Sequence, residues 1–398
     1  MAEALVDSRD RFDRLVAGFK EEGSGACSQR WRSHVEGMTD RTRQILLFGA
    51  GQFGTLTLDR LRHAGVEPCC FSDNNQDRWG TTIAGVEVIP PQEAVARYSD
   101  SATFIVTIFN GSNVRQQLRQ MGCKYVLPAT SLFWRYPREF MPDLGIDSPE
   151  LLTEHEEQIR HCFDLFADES SRKEFCDQIQ WRYWFEPEFL ALSENPKETY
   201  FPEGLVKPIS EEVFVDCGAF DGDCIRSILE RRRNFEHIYA LEPDPKNRRR
   251  LQNFLSQKDL MLRDKVTVLP YALADHDGTV FMSGSGDVTS RMTSAESDEA
   301  VECKRLDSLE WSYKPTYIKM DIEGAEPDAL VGGTRLLSQA MPVLAICLYH
   351  RSEHLWEIPT LIHAIQPSYS LFLRRYAEDC WEQVCYAIPK HRVLSEVL

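Results

Sequence analysis

Two groups of residues have the types and spacing of a reaction centre. The first begins in VFVDCGAFDGDC, Val213 to Cys224. Asp216 closes an apolar run there, and Gly218 and Gly222 punctuate the turn that follows. Glu242 ends the next apolar run, about 20 residues on. The second group lies in KMDIEGAE, Lys319 to Glu326, which carries Asp321, Glu323 and Glu326. His350 ends a later apolar run, MPVLAICLYH.

The first turn reads D-x-G-x-x-x-G and lacks G-x-G-x-x-G, so it suits a ligand without a pyrophosphate. S-adenosylmethionine meets that description. The glycines would admit its methionine end, and backbone N–H groups would take its carboxylate. Asp216 would favour its ammonium by opposite charge, and Glu242 would hold its ribose hydroxyls. Asp221 either lines the turn or caps the next helix, as does Asp223. Asp275, which ends KVTVLPYALAD, joins the expected cofactor-binding set.

Transfer of a methyl group to an alcohol needs alignment of oxygen, methyl and sulfur, and it needs a destination for the hydroxyl proton. His350 is the candidate base, with Asp321 orienting it or binding substrate. A carboxylate–histidine set is also a site for a hard ion of the Mg²⁺ or Mn²⁺ kind, with Asp321, Glu323 and Glu326 as candidate ligands. The structural alternatives are a Glu323 buried against Lys319 or Arg305, and a His350 that caps a helix.

A separate glycine turn lies in ILLFGAGQFG, Ile45 to Gly54. Gly49, Gly51 and Gly54 have the spacing G-x-G-x-x-G, and Asp73 follows about 20 residues later. That pattern suits NAD or a nucleotide sugar. The other reading is a strand–turn–helix that needs its glycines only to pack. No His, Tyr-Lys or Cys constellation for hydride transfer follows it.

The elements that must position these groups alternate in two blocks. Residues 41–128 alternate strand and helix, as expected of a Rossmann-like sheet. Residues 209–398 do so again and end in two strand-like runs, YSLFLRRY and EQVCYAIP, read as an antiparallel hairpin. Residues 129–208 read as a helical connector or lid, with two amphipathic helices divided near Asp168. Residues 1–40 read as a polar helical segment. The fold expected is therefore α/β, with two doubly wound Rossmann-like sheets joined by a helical connector.

The chain has 398 residues, with 45 Lys and Arg against 62 Asp and Glu, a formal charge of −17. Such an acidic balance argues against nucleic acid or an anionic membrane as the partner. The two Arg triplets, at 231–233 and 248–250, read as solvated helix faces. No apolar run reaches the ~18 residues of a membrane span. The twelve cysteines are scattered, without metal-binding or disulfide-framework spacing. Cytoplasmic, reduced thiols are the simplest reading, and Cys217 reads as packing. The expected partner is a small hydroxyl-bearing molecule, and a homodimer is compatible with the sequence.

EVFVDCGAFDGD, YALEPDP, KRLDSL, YIKMDIEGAE and ICLYHR occur in this order and spacing between residues 200 and 390. In this the chain resembles the FkbM-type methyltransferases, class I enzymes that use S-adenosylmethionine, mostly to O-methylate natural products and sugars. The resemblance implies a class I fold for residues 209–398 and a hydroxyl of a sugar, nucleotide-linked sugar or related metabolite as acceptor. It also places Ser290 and Arg291, in SGSGDVTSRM, at the substrate mouth, where Arg291 would clamp a phosphate or carboxylate. The N-terminal block resembles more loosely a Rossmann-like domain fused ahead of some members.

Overall fold

The computed structural model describes residues 7–22, 29, 43–184, 190, 194–231, 234–283, 291–293 and 299–396. The chain divides into two compact units. One comprises residues 1–156, 173–196 and 375–381, and the other residues 157–172, 197–374 and 382–398. The segment 129–208, read as a connector, is thus shared between them.

The first unit is built on a six-stranded sheet. Its strands are β1 (Gln44–Phe48), β2 (Cys70–Ser72), β3 (Thr82–Ile83), β4 (Val86–Ile89), β5 (Ala102–Val106) and β6 (Val126–Pro128), in the order β3-β4-β2-β1-β5-β6. The strands pair in parallel except β3 with β4, which are antiparallel. Leu46, Phe48, Phe104 and Val106 face its core, as near-continuous apolar strands of a parallel sheet do. Sequence periodicity did not reveal β3, β4 and β6, which are too short to show it.

The second unit carries β7 (Val213–Cys217), β8 (His237–Leu241), β9 (Val266–Leu269), β10 (Ala272–Leu273), β11 (Gly278–Ser283), β12 (Arg291–Thr293), β13 (Glu299–Lys304), β14 (Tyr317–Met320), β15 (Val343–Cys347), β16 (Tyr369–Arg375) and β17 (Gln383–Pro389). Seven of them form the sheet β16-β17-β15-β14-β7-β8-β9. β7, β8, β9, β14 and β15 pair in parallel, whereas β17 runs antiparallel to β15. The expected terminal strands are therefore present, with β17 between β15 and β16. The remaining four form a side sheet, β10-β13-β11-β12.

The stretch PDALVGGTRLL falls in two short helices, Glu326–Gly332 and Thr334–Ala340. The break has a packing cause. A Cβ on Gly332 would lie 2.1 Å from the Ala274 carbonyl oxygen, so the first helix ends pressed against the β10 turn. The two helices expected around Asp168 are observed as Glu156–Leu165 and Glu169–Trp184. Among the described residues no helix is long and apolar enough to cross a membrane.

Candidate active site

Connections from β7 run outward through β8 to β9, and those from β14 run the other way to β15. The strand order therefore reverses between β7 and β14. Ligands of open α/β sheets bind at the carboxyl ends of the strands at such a reversal. Asp216 and Lys319 are register partners across it. Past the carboxyl ends come Gly218 after β7, Glu242 after β8, Asp321 after β14, and Tyr349 and His350 after β15. Because β17 is antiparallel, its first residues also lie at this edge, with Glu382 immediately before them.

Asp216 is fully buried. Lys319 Nζ stands 3.1 Å from its Oδ1, and the same ammonium donates to the Gly218 carbonyl at 2.7 Å and the Cys217 carbonyl at 3.3 Å. Neither oxygen of Asp216 accepts an aligned hydrogen bond. Burial pushes its pKa up to about 6, and Lys319 opposes that rise. Asp216 was expected to meet a ligand ammonium directly. Sealed beneath the turn, it instead balances the lysine that holds the turn's carbonyls. Cys217 is buried, as a packing residue would be.

The turn itself is held from β8. The N–H groups of Gly218 and Ala219 donate to the Leu241 carbonyl, and that of Gly222 to the Ala219 carbonyl. Phe220 N–H donates to Glu242 Oε2 at 2.7 Å. Four of the turn's amides, those of Gly218, Ala219, Phe220 and Gly222, are thus engaged within the fold. Gly218, Phe220 and Gly222 all have positive φ, at 81°, 46° and 93°. At Gly218 the sequence has no choice, since a Cβ would lie 1.9 Å from the Asp321 carbonyl oxygen.

Glu242 is buried, with its Oε1 accepting from Asp244 N–H at 2.9 Å. Burial pushes its carboxyl up to about 7, against the pull of the two backbone donors. Each carboxylate oxygen has room for a further donor, and a pair of ribose hydroxyls would relieve the cost of its charge. Together with the half-buried Gly218, this carboxylate fits the ribose end of S-adenosylmethionine. Asp221 is paired with Arg226, and Asp275 is exposed and paired with His276 at 2.7 Å. These contacts give both acids partners of their own, apart from Glu242 and the turn amides.

Asp321 collects hydroxyl donors that the motifs did not announce. Tyr200 Oη donates to Oδ2 at 2.8 Å, and Tyr349 Oη lies 3.1 Å from Oδ1. Burial opposes its ionisation, but His350, Lys319 and Tyr200 outweigh it and hold the carboxyl far below the ordinary range.

His350 lies between acids. Its Nε2 is 3.2 Å from Asp321 Oδ1 and 3.8 Å from Glu323 Oε2, and its Nδ1 is 2.9 Å from Glu326 Oε1. Burial alone would lower its pKa, but Glu326 and Asp321 raise it well above the usual imidazole value. Acids on both edges of the ring favour the protonated imidazole, a form that has no lone pair for the base role expected of His350. Of the structural alternatives, Lys319 pairs with Asp216, and His350 faces acids on both ring edges. Glu326 also accepts from Ile322 N–H at 2.9 Å and approaches His354 Nδ1 at 3.6 Å.

Glu382 enters the same field, pushed up to about 7 by burial and then by Asp321. Ser290 lies outside the described residues, as do Arg232 and Arg233. Arg291 begins β12, pairing with Ser283, and its side chain is likewise outside. In the second triplet Arg249 and Arg250 are exposed as expected, but Arg248 folds back to donate to the carbonyls of Glu242 and Pro243 at 2.8 Å.

In the other unit, Gly49 has φ 117°, and a Cβ there would lie 2.9 Å from the Thr107 carbonyl oxygen. A Cβ on Gly54 would lie 2.0 Å from the Gly49 carbonyl oxygen, whereas Gly51 faces open space. Asp73 accepts from Ala50 N–H and Asn75 N–H, both at 2.7 Å. The acid expected over a ribose is here an acceptor for the glycine turn. At the next helix, Ser112–Gln120, the carboxylate of Glu378 accepts from Ser112 N–H at 3.0 Å.

Residues 216–380 match the methyltransferase FkbM domain. The FkbM-type resemblance carried by the sequence motifs falls on this same segment. The crystal structure of a methyltransferase FkbM from Methylobacillus flagellatus is similar over 96% of this chain and 99% of that one, at 23% identity and a TM-score of 0.72. The seven-stranded sheet has the class I methyltransferase fold. A putative rRNA-methylase from Clostridium thermocellum is similar at 12% identity over 51% of this chain and 98% of that one, with a TM-score of 0.33. A UDP-D-quinovosamine 4-dehydrogenase from Vibrio fischeri matches at 19% identity over 22% of this chain and 77% of that one, with a TM-score of 0.19. No curated protein matches the chain.

Proposed function

We propose that the protein is an S-adenosylmethionine-dependent O-methyltransferase, acting on a hydroxyl of a sugar, a nucleotide-linked sugar or a related small metabolite. One observation carries this reading. The turn that would hold the cofactor touches the carboxylate cluster that would hold the acceptor, since Gly218 and the Asp321 backbone leave no room for a Cβ between them. When bound, S-adenosylmethionine supplies an electrophilic methyl carbon and leaves as a thioether.

The chain's own residues bind and align. Glu242 holds the ribose, while Lys319 and Asp216 keep the turn in place beneath it. Asp321, kept ionised and fixed by Tyr200 and Tyr349, accepts a hydrogen bond from the acceptor hydroxyl, orients its lone pair, and takes the proton that the oxygen sheds as the methyl bonds to it. Alignment of this kind supplies a large part of the acceleration. The acidic surface argues against nucleic acid as the acceptor.

The experiment is incubation of the full chain with methyl-labelled S-adenosylmethionine and a panel of sugars and nucleotide sugars. Label bound to an acceptor oxygen supports the reading. Label found only on nitrogen or carbon, or none transferred to any hydroxyl, contradicts it.

A further inference from the structure

His350 is 7% exposed, and neither ring nitrogen has an aligned hydrogen-bond partner. Its two edges face different acids. On the Nε2 side stand Asp321 Oδ1 at 3.2 Å and Glu323 Oε2 at 3.8 Å, and their side chains are 23% and 30% exposed. On the Nδ1 side stands Glu326 Oε1 at 2.9 Å, with no exposure at all. We propose that Asp321, Glu323 and Nε2 of His350 bind one divalent cation of the Mg²⁺ or Mn²⁺ class, which takes the place of the proton on Nε2, with Glu326 positioning the imidazole from its opposite edge.

The distances suit such an ion. Bonds of about 2.1 Å at right angles place neighbouring ligands of an octahedral ion about 3 Å apart. The Asp321 contact, at 3.2 Å, is already near that spacing, and the partly exposed Glu323 side chain must close in from 3.8 Å. Two carboxylates with one imidazole, open on the exposed side, are the ligands of a hard ion that keeps water or a hydroxyl in its remaining positions. Asp321, Glu326 and His350 bring ligand atoms within 4.8 Å of one another. One imidazole nitrogen binds one ion, however, so an acid on the Nδ1 side serves the ring and not the metal. A carboxylate behind a ligating histidine is the usual outer partner. In this arrangement Glu326, which the sequence offered as a ligand, serves the ring instead.

The backbone supports the assignment. Glu323 has φ 56° and Gly324 φ 100°, a left-handed pair within the turn that carries the carboxylate. Such strain in a residue with a side chain concentrates at binding sites. The proposal rests on the transfer reading only for the ion's use, which would be to hold the acceptor oxygen.

The test is Mn²⁺ titration of the full chain, followed by electron paramagnetic resonance, for the wild type, E323Q, H350Q and E326Q. S-adenosylmethionine binding is measured by calorimetry on the same samples. The wild type is expected to bind one Mn²⁺. E323Q and H350Q should weaken it at least tenfold, and E326Q should keep one bound ion at about 10-fold weaker affinity. E323Q changes a partly exposed side chain, so it separates ligand loss from misfolding, and its cofactor affinity should stay at the wild-type value. No Mn²⁺ bound at millimolar concentration, or equal affinity in E323Q, overturns the cation site. Mn²⁺ failure with cofactor binding intact leaves the transfer reading standing. The reverse outcome removes that reading and keeps the site.

Discussion

The Tyr200 hydroxyl donates to Asp321 Oδ2 at 2.8 Å, joining positions separated by 121 residues. The same tyrosine is anchored through its backbone. Its N–H meets Tyr386 Oη at 3.2 Å, and its carbonyl accepts from Tyr317 Oη. A segment ahead of the sheet thereby fixes the orientation of the strand-end carboxylate.

Tyr200→Phe removes one hydrogen bond to a charged group, an interaction of about 1.5–3 kcal/mol. Methyl-transfer turnover should fall roughly tenfold or more, because 1.4 kcal/mol corresponds to a factor of ten. Cofactor affinity should be unchanged, since Phe keeps the ring that faces Lys319 and loses only the hydroxyl that bonds Asp321. Equal turnover in the variant would remove Asp321 orientation from the account.

Glycines in the two turns should respond differently. Gly218→Ala places a Cβ 1.9 Å from a backbone oxygen at a positive φ, whereas at Gly51 a Cβ meets nothing within 4 Å. The first substitution is expected to destabilise by more than ~2 kcal/mol, and the second by less than ~1 kcal/mol. Thermal unfolding of both variants checks this. Comparable losses would show that the Gly218–Asp321 contact is not tight in solution.

These two outcomes also mark what the sequence could reveal. The glycine turns, and the acids at the ends of apolar runs, were legible because strand ends and turns are local features. So were the terminal hairpin and the paired helices around Asp168. Tyr200 was not legible, since only tertiary packing brings it to Asp321. Lys319 stood beside a recognised motif, but its partner Asp216 lies on a neighbouring strand. Glu382 reaches the edge because β17 inserts antiparallel, a fact of strand order that spacing does not encode. His350 was found, but its charge was not, because that depends on acids contacting both edges of the ring.

Stability should fall as pH rises from about 5 to 8. Burial raises Asp216 to about 6, and Glu242, Asp379 and Glu382 to about 7. A raised carboxyl binds its proton more tightly when folded. Its contribution is therefore complete below the unfolded pKa and is lost as pH climbs through the folded one. The raised His350 acts in the same direction at higher pH. Asp321 and Glu326, both lowered, act oppositely, and their contribution disappears in acid. Denaturant melts across this range should show the decline, and Glu382→Gln should flatten it. A wild-type stability that rises toward pH 8 would contradict these burial effects.

Calorimetric titration of the full chain with S-adenosylmethionine, repeated on Glu242→Gln, tests the central claim most directly. The account predicts one site in the wild type and at least tenfold weaker binding in the variant, because the amide replaces a charged acceptor beneath the ribose hydroxyls. Absence of binding to the wild type, or equal affinity in both proteins, would contradict it.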